Sequence, residues 1–80
     1  MLAIDVGNTN ITTGIFKGSE LKAVYRTPTE KCLTDNAFFH HVPEARDALP
    51  EQAVMVSVRR QVTDLISREI LSSTGTPPIL

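Results

Sequence analysis

Near the start of the chain, Asp5-x-Gly7-x-Thr9 brings together three residue types that can do chemistry at close spacing. Asp5 is an ionisable carboxylate in an otherwise apolar run, Leu2-Ala3-Ile4-Asp5-Val6, and a charge so placed is costly unless partnered. At the exit of a strand, beside a turn, it can face a cleft and hold a hydrated Mg²⁺. Gly7 removes side-chain bulk, so a phosphate can approach the backbone. Successive N–H groups of a turn form an anion-binding nest. Asn8, Thr9 and Asn10 add neutral donors for phosphate oxygens without extra charge. Together these would position a nucleotide tail for phosphoryl transfer, where positioning and charge neutralisation make up most of the catalysis. The same residues also suit a tight hairpin with a polar turn and no ligand, and residue types alone leave both readings open.

The elements that must position these residues follow from pattern. Leu2–Val6 reads as a buried strand, Gly7-Asn8-Thr9-Asn10 as a turn, and Ile11–Phe16 as a second strand, making a hairpin. Lys17-Gly18-Ser19 is another turn, and Leu21–Arg26 a third strand with Leu21, Ala23 and Tyr25 on one side. Thr27–Lys31 reads as a loop because proline disfavours helix before it. Thr34 or Asp35 is expected to cap a helix running to about Val42, with Leu33, Ala37, Phe38 and His41 at helical spacing. Pro43 and Pro50 keep any further helix there short or broken. Ala53–Val58 is a second buried strand. Val62, Leu65, Ile66 and Ile70 form the apolar stripe of a helix, which Gly75 and Pro77-Pro78 end. Pro78-Ile79-Leu80 opens one more strand. The expected class is α/β in the order β-β-β-α-β-α-β, a mixed sheet whose last part is a parallel βαβ crossover with helices packed on it.

Composition narrows the function. Of 80 residues, 41% are apolar and 21% charged, which is globular rather than disordered. Eight basic against nine acidic residues argue against a nucleic-acid partner built on phosphate neutralisation. No apolar run approaches the roughly 18–20 residues of a membrane span. The start has no basic region of the kind a signal peptide carries. A single cysteine, Cys32, forms no internal disulfide, so a cytoplasmic location is expected.

The opening Leu2-Ala3-Ile4-Asp5-Val6-Gly7-Asn8-Thr9-Asn10-Ile11 resembles the N-terminus of type III pantothenate kinases, members of the acetate-and-sugar-kinase/actin-like ATPase superfamily. Gly14–Leu21 is similar to the family's second hairpin, Tyr25-Arg26-Thr27-x-Thr29 to an aromatic-Arg-x-x-Thr strand end, and Thr34-Asp35 to the start of its first helix. Val54-Met55-Val56-Ser57-Val58 with the helix after it, and then Pro77-Pro78-Ile79-Leu80, resemble its fourth strand, second helix and fifth strand. The resemblance covers nearly the whole chain, with Asp5–Asn10 its most specific part. It implies a single ribonuclease-H-like/actin-like ATPase lobe. Asp5, Val6, Gly7, Asn8, Thr9, Asn10, Ile11 and Thr12 would then be the ATP phosphate loop, with Asp5 near Mg²⁺. The implied reaction is ATP-dependent phosphorylation of pantothenate, the first step towards coenzyme A, in proteins that are usually homodimers and often use K⁺ or NH₄⁺.

The family's pantothenate-contacting segment, catalytic aspartate and second phosphate loop follow the fifth strand, where this sequence ends. The expectation is one lobe of two, with no catalytic residue of its own. Either the chain is a truncated product or a second polypeptide supplies the other lobe; alone it would be inactive, and association with another copy or with a chain carrying the second lobe is expected. A different reading is a non-catalytic interaction or regulatory module derived from such a lobe, and a third is a kinase of the same superfamily with another small substrate. Apolar surface left where a partner docks predicts association in any of these cases.

The family commonly has prolines after its fourth strand, whereas this chain has Val58-Arg59-Arg60-Gln61. Arg59 and Arg60 fall where strand ends face a ligand crevice, so they could sit near the phosphates. The simpler expectation is an exposed pair, with Arg60 bridging Asp64 at i,i+4. Arg26 suits either a local salt bridge or a cleft. Metal ligation by the adjacent His40 and His41, and a nucleophilic role for Cys32 in a loop, are not expected. Asp35 and Asp47 read as cap and surface residues.

Overall fold

The computed structural model describes residues 1–48 and 52–80, with backbone only for 47 and 48; Pro50 and the side chain of Asp47 lie outside the described residues. Strands β1 (Leu2–Val6), β2 (Asn10–Lys17) and β3 (Glu20–Pro28) run as an antiparallel meander. Helices α1 (Thr29–Asp35) and α2 (Ala45–Ala48) follow, then β4 (Ala53–Ser57) and α3 (Arg60–Thr74). β4 lies parallel to β1, so the mixed sheet has the order β3-β2-β1-β4. Ile79 makes a parallel bridge to Val54, through Met55 N–H to Ile79 O and Ile79 N–H to Ala53 O, each at 2.8 Å. The expected fifth strand is therefore present as a single bridged residue.

Strand alternation sorts the side chains between two faces. Leu2, Ile4 and Val6 of β1, Ile11 and Thr13 of β2, and Met55 of β4 are buried against the helices. Val62, Leu65, Ile66 and Ile70 of α3 pack into this core with Phe38, Val42 and Cys32, as the apolar stripe of the helix requires. The helix ends at Gly75, whose φ of 75° is the left-handed cap that glycine adopts without penalty.

The first helix lies earlier than its sequence suggested. It begins at Thr29, directly after Pro28, and stops at Asn36, a left-handed cap at φ 51°. Proline restricts the residue before it, not the one after, and Pro28 sits at the N-cap with φ −58°. A tertiary tie fixes the start, since Thr29 N–H donates to Thr9 O at 2.9 Å and Thr29 Oγ1 to Gly7 O at 3.0 Å. Phe38 and His41 therefore lie in a turn beyond the helix. Glu69 of α3 holds that turn by accepting from the N–H groups of Phe38 (3.0 Å) and Phe39 (3.0 Å). Cys32 is a fully buried residue of α1 rather than a loop residue.

A second correction concerns β3. A register irregularity between Ile15 and Phe16 sets Ala23 opposite Ile15 but Leu21 opposite Phe16. A bulge carries flanking residues to opposite faces. Leu21 consequently leaves the side of Ala23 and Tyr25 and stands 50% exposed on the other face.

That other face carries no helix among the described residues. Ala3, Asp5, Thr12, Gly14, Phe16, Leu21, Val24, Val54 and Val56 line a trough of about 450 Å³ there. It is apolar apart from Asp5 and Thr12.

Candidate functional site

The β1–β2 turn is held from behind by four donors. Val58 N–H donates to Val6 O (3.0 Å), Thr29 Oγ1 to Gly7 O (3.0 Å), Arg59 Nη1 to Asn8 O (3.4 Å) and Thr29 N–H to Thr9 O (2.9 Å). Every carbonyl from Val6 to Thr9 is thereby engaged. Gly7 N–H closes the turn on Asn10 O at 2.9 Å. The amides of Asn8 and Thr9 have no acceptor among the described residues, and both residues are exposed. A turn with its carbonyls tied back and two amides free presents positive dipoles to solvent, which is what an anion-binding backbone needs. A Cβ at position 7 would meet Asn10 O at 3.1 Å, a tight contact that glycine avoids.

Asp5 is the last outward-facing residue of β1, on the open side of the sheet. It is exposed, so its charge is not the buried one that the apolar run suggested. Among the described residues it has no hydrogen-bond or ion-pair partner. Its cross-strand neighbours are Thr12 on β2 and Val56 on β4. Residues opposite one another share a face. Thr12 in turn faces Arg26, so Val56, Asp5, Thr12 and Arg26 form one row across the open face. Arg26 is exposed and makes no ion pair among the described residues, which removes the local salt bridge considered for it.

The eight residues Asp5–Thr12 thus separate by what they can offer. Asp5 offers a free carboxylate, and Asn8, Thr9 and Asn10 offer exposed polar side chains. Thr12 offers a half-buried hydroxyl. Val6 and Ile11 are fully buried in the core and contribute only backbone and packing. No group of three or more His, Cys, Asp or Glu suited to a metal exists among the described residues. A single exposed carboxylate fits Mg²⁺, which keeps most of its waters and takes further oxygens from a phosphate substrate. A wider groove of about 650 Å³ lies on the helical side among Phe39, His40, Arg46 and Arg68, and none of the eight residues lines it.

Arg59 lies against the β1–β2 turn, at the strand ends where the sequence offered it as the alternative to an exposed pair, and only its tie to α1 was not foreseen. Its guanidinium joins the turn to α1, bonding Asn8 O and, at 3.1 Å, Glu30 Oε1. Arg60 is exposed and does not pair with Asp64 among the described residues, contrary to expectation. The unusual Arg-Arg in place of prolines was the available signal, but Arg59 and Asn8 are 51 residues apart, beyond the reach of local pattern.

Cys32 is pushed up to about 11 by burial first, then by the nearby carboxylates of Glu69 and Asp35. Such a thiol is protonated and unreactive at neutral pH. His41 pairs with Asp35 at 2.8 Å. Among the described residues no helix is long and apolar enough to cross a membrane.

The profile of the type III pantothenate kinase family matches residues 1–80. A type III pantothenate kinase of Moorella thermoacetica is 31% identical over 86 aligned positions, covering all of this chain and 34% of that protein. One of Geobacillus kaustophilus is 30% identical over 80 positions, covering all of this chain and 27% of its own length. One of Agathobacter rectalis is 47% identical over 38 positions, 48% of this chain. The chain therefore spans about a third or less of the curated relatives it matches.

Proposed function

We propose, from the premise that this chain belongs to the type III pantothenate kinase family, that it is the ATP-binding lobe of a pantothenate kinase and needs a second lobe for activity. The observation carrying this reading is the turn whose carbonyls are tied back and whose Asn8 and Thr9 amides are free, beside the unpaired Asp5. In this reading those amides, with the side chains of Asn8, Thr9, Asn10 and Thr12, bind the ATP phosphates. Asp5 would hold hydrated Mg²⁺, and Val6 and Ile11 fix the turn on the core. The chain is then a ribonuclease-H-like lobe working in the cytoplasm. Pantothenate and the catalytic base belong to the second lobe, with K⁺ or NH₄⁺ as a further component of the assembly.

The non-catalytic interaction module keeps one specific observation in its favour. Leu21, Val24 and Val56, each at least half exposed, lie together on the open sheet face. Such a patch suits protein contact whether or not nucleotide binds.

Titration of the ¹⁵N-labelled chain with MgATP separates the two. The Asn8 and Thr9 amides are expected to shift, with no phosphorylation of pantothenate by the chain alone. Asp5→Asn is expected to weaken MgATP binding about tenfold, a loss of about 1.4 kcal/mol. It should leave metal-free ATP bound as well or better, because a repelling charge has gone. Unmoved amides at millimolar MgATP would sink the nucleotide reading, and turnover by the lone chain would sink the requirement for a second lobe.

A further inference from the structure

Arg59 occupies a position that a structural tie alone does not explain. It is the N-cap residue of the 15-residue α3, with Arg60 next to it and no acidic residue in the first turn. Cations at a helix N-terminus oppose the helix dipole. Ser57 fixes the backbone there, its Oγ accepting from Arg59 N–H at 3.1 Å and donating to Arg59 O at 3.0 Å. The guanidinium then reaches back to the β1–β2 turn at Asn8 O, 3.4 Å away, on the carbonyl edge of the peptide whose other edge is the free Thr9 amide. Its charged partner is Glu30, in the first turn of α1, at 3.1 Å. The carboxylate side of that pair is 75% exposed, against 26% for Arg59. An ion pair with one member so open contributes little and is easily exchanged. A guanidinium fork matches phosphate oxygens in a bidentate fashion, and a polyphosphate carries more charge than one carboxylate.

We propose that Arg59 is a phosphate-binding residue of the β1–β2 turn, held in reserve by Glu30 and released to an incoming polyphosphate. This rests on the reading of the turn as a phosphate site, and adds to it a specific cation and a specific competitor. The ligand class is a di- or triphosphate, with Arg59 exchanging the Glu30 carboxylate for a phosphate oxygen while the Asn8 and Thr9 amides hold its neighbours. The free site is then partly self-neutralised, and Glu30 sets how much phosphate charge is needed to open it.

The test is a double-mutant cycle on the full 80-residue chain, read by ¹⁵N amide titration with inorganic tripolyphosphate at low salt. Arg59→Gln is expected to weaken binding about tenfold, the scale of one charge-assisted bond. Glu30→Gln is expected to tighten it about threefold to tenfold, and that gain should vanish in the Arg59→Gln background. A purely structural clasp predicts the opposite sign, because Glu30→Gln would loosen the turn and weaken binding. Weaker binding by Glu30→Gln therefore overturns the proposal. Equal tightening in both backgrounds also overturns it, since Glu30 then acts by direct repulsion. Glu30→Gln lies on the surface and leaves the core intact, so its sign is readable even if Arg59→Gln folds poorly. If tripolyphosphate moves neither turn amide in the unsubstituted chain, the phosphate-site reading itself falls and takes this proposal with it. Binding that survives Arg59→Gln unchanged removes only the proposal.

Discussion

The two faces of the sheet are made from the same strands and differ in almost everything else. On one, Leu2, Ile4, Val6, Ile11 and Met55 meet α1 and α3 and are closed to solvent. On the other, Asp5, Thr12, Arg26 and Val56 stand in a row with nothing over them among the described residues. One residue of alternation separates a position that carries stability from one that carries chemistry. The comparison teaches why Asp5 needs no partner. A carboxylate on the covered face would require burial of charge, whereas on the open face it stays hydrated and available.

The largest break of that contrast is a cavity on the covered side. Phe38→Ala, at a fully buried ring, is expected to cost about 3–5 kcal/mol, enough to unfold much of so small a domain, as urea denaturation would report. A subtler probe of the same side is pH. Burial raises the Cys32 thiol from 9.0 to about 11, so the folded chain holds that proton more tightly than the unfolded one. The stabilising contribution is fully present below about pH 9 and is lost as pH rises towards about 11. Replacing Cys32 with Ala should flatten that part of the stability–pH curve. The smallest effect belongs to the open face, where Val56→Thr keeps the branched shape and strand preference. It should change stability by no more than about 0.5 kcal/mol while reducing self-association in sedimentation experiments. A large loss of stability there would mean that the open face is not open in solution.

Much of the covered side was legible in the residues. The β1–β2 hairpin, β4 and the Val62-Leu65-Ile66-Ile70 stripe follow from local period and turn chemistry, and these elements stand close to where that pattern places them. What local pattern missed was set by distant partners. Thr29 starts α1 because Gly7 and Thr9, some twenty residues earlier, receive its hydroxyl and amide. Leu21 changes face because of a bulge, which no alternation reveals in advance. In the candidate site, Asp5, Gly7 and the polar turn were visible as types and spacing. The division of the turn into engaged carbonyls and free amides was not, because Thr29 at the start of α1 and Val58 and Arg59 in the β4–α3 connection create it from distant parts of the chain.

The parallel pairing of β1 with β4 also sets the order in which the site can assemble. The hairpin closes a gap of a few residues, a microsecond event. Register Leu2↔Ala53 closes one of about fifty, at an added loop-closure cost of roughly 2 kcal/mol. Val58 and Arg59 reach the turn only after that closure. Non-local contacts of this kind govern folding speed in small domains. The turn is thus an early, locally encoded loop that becomes a fixed cradle only when the far half of the chain arrives, so its rigidity reports completion of the fold.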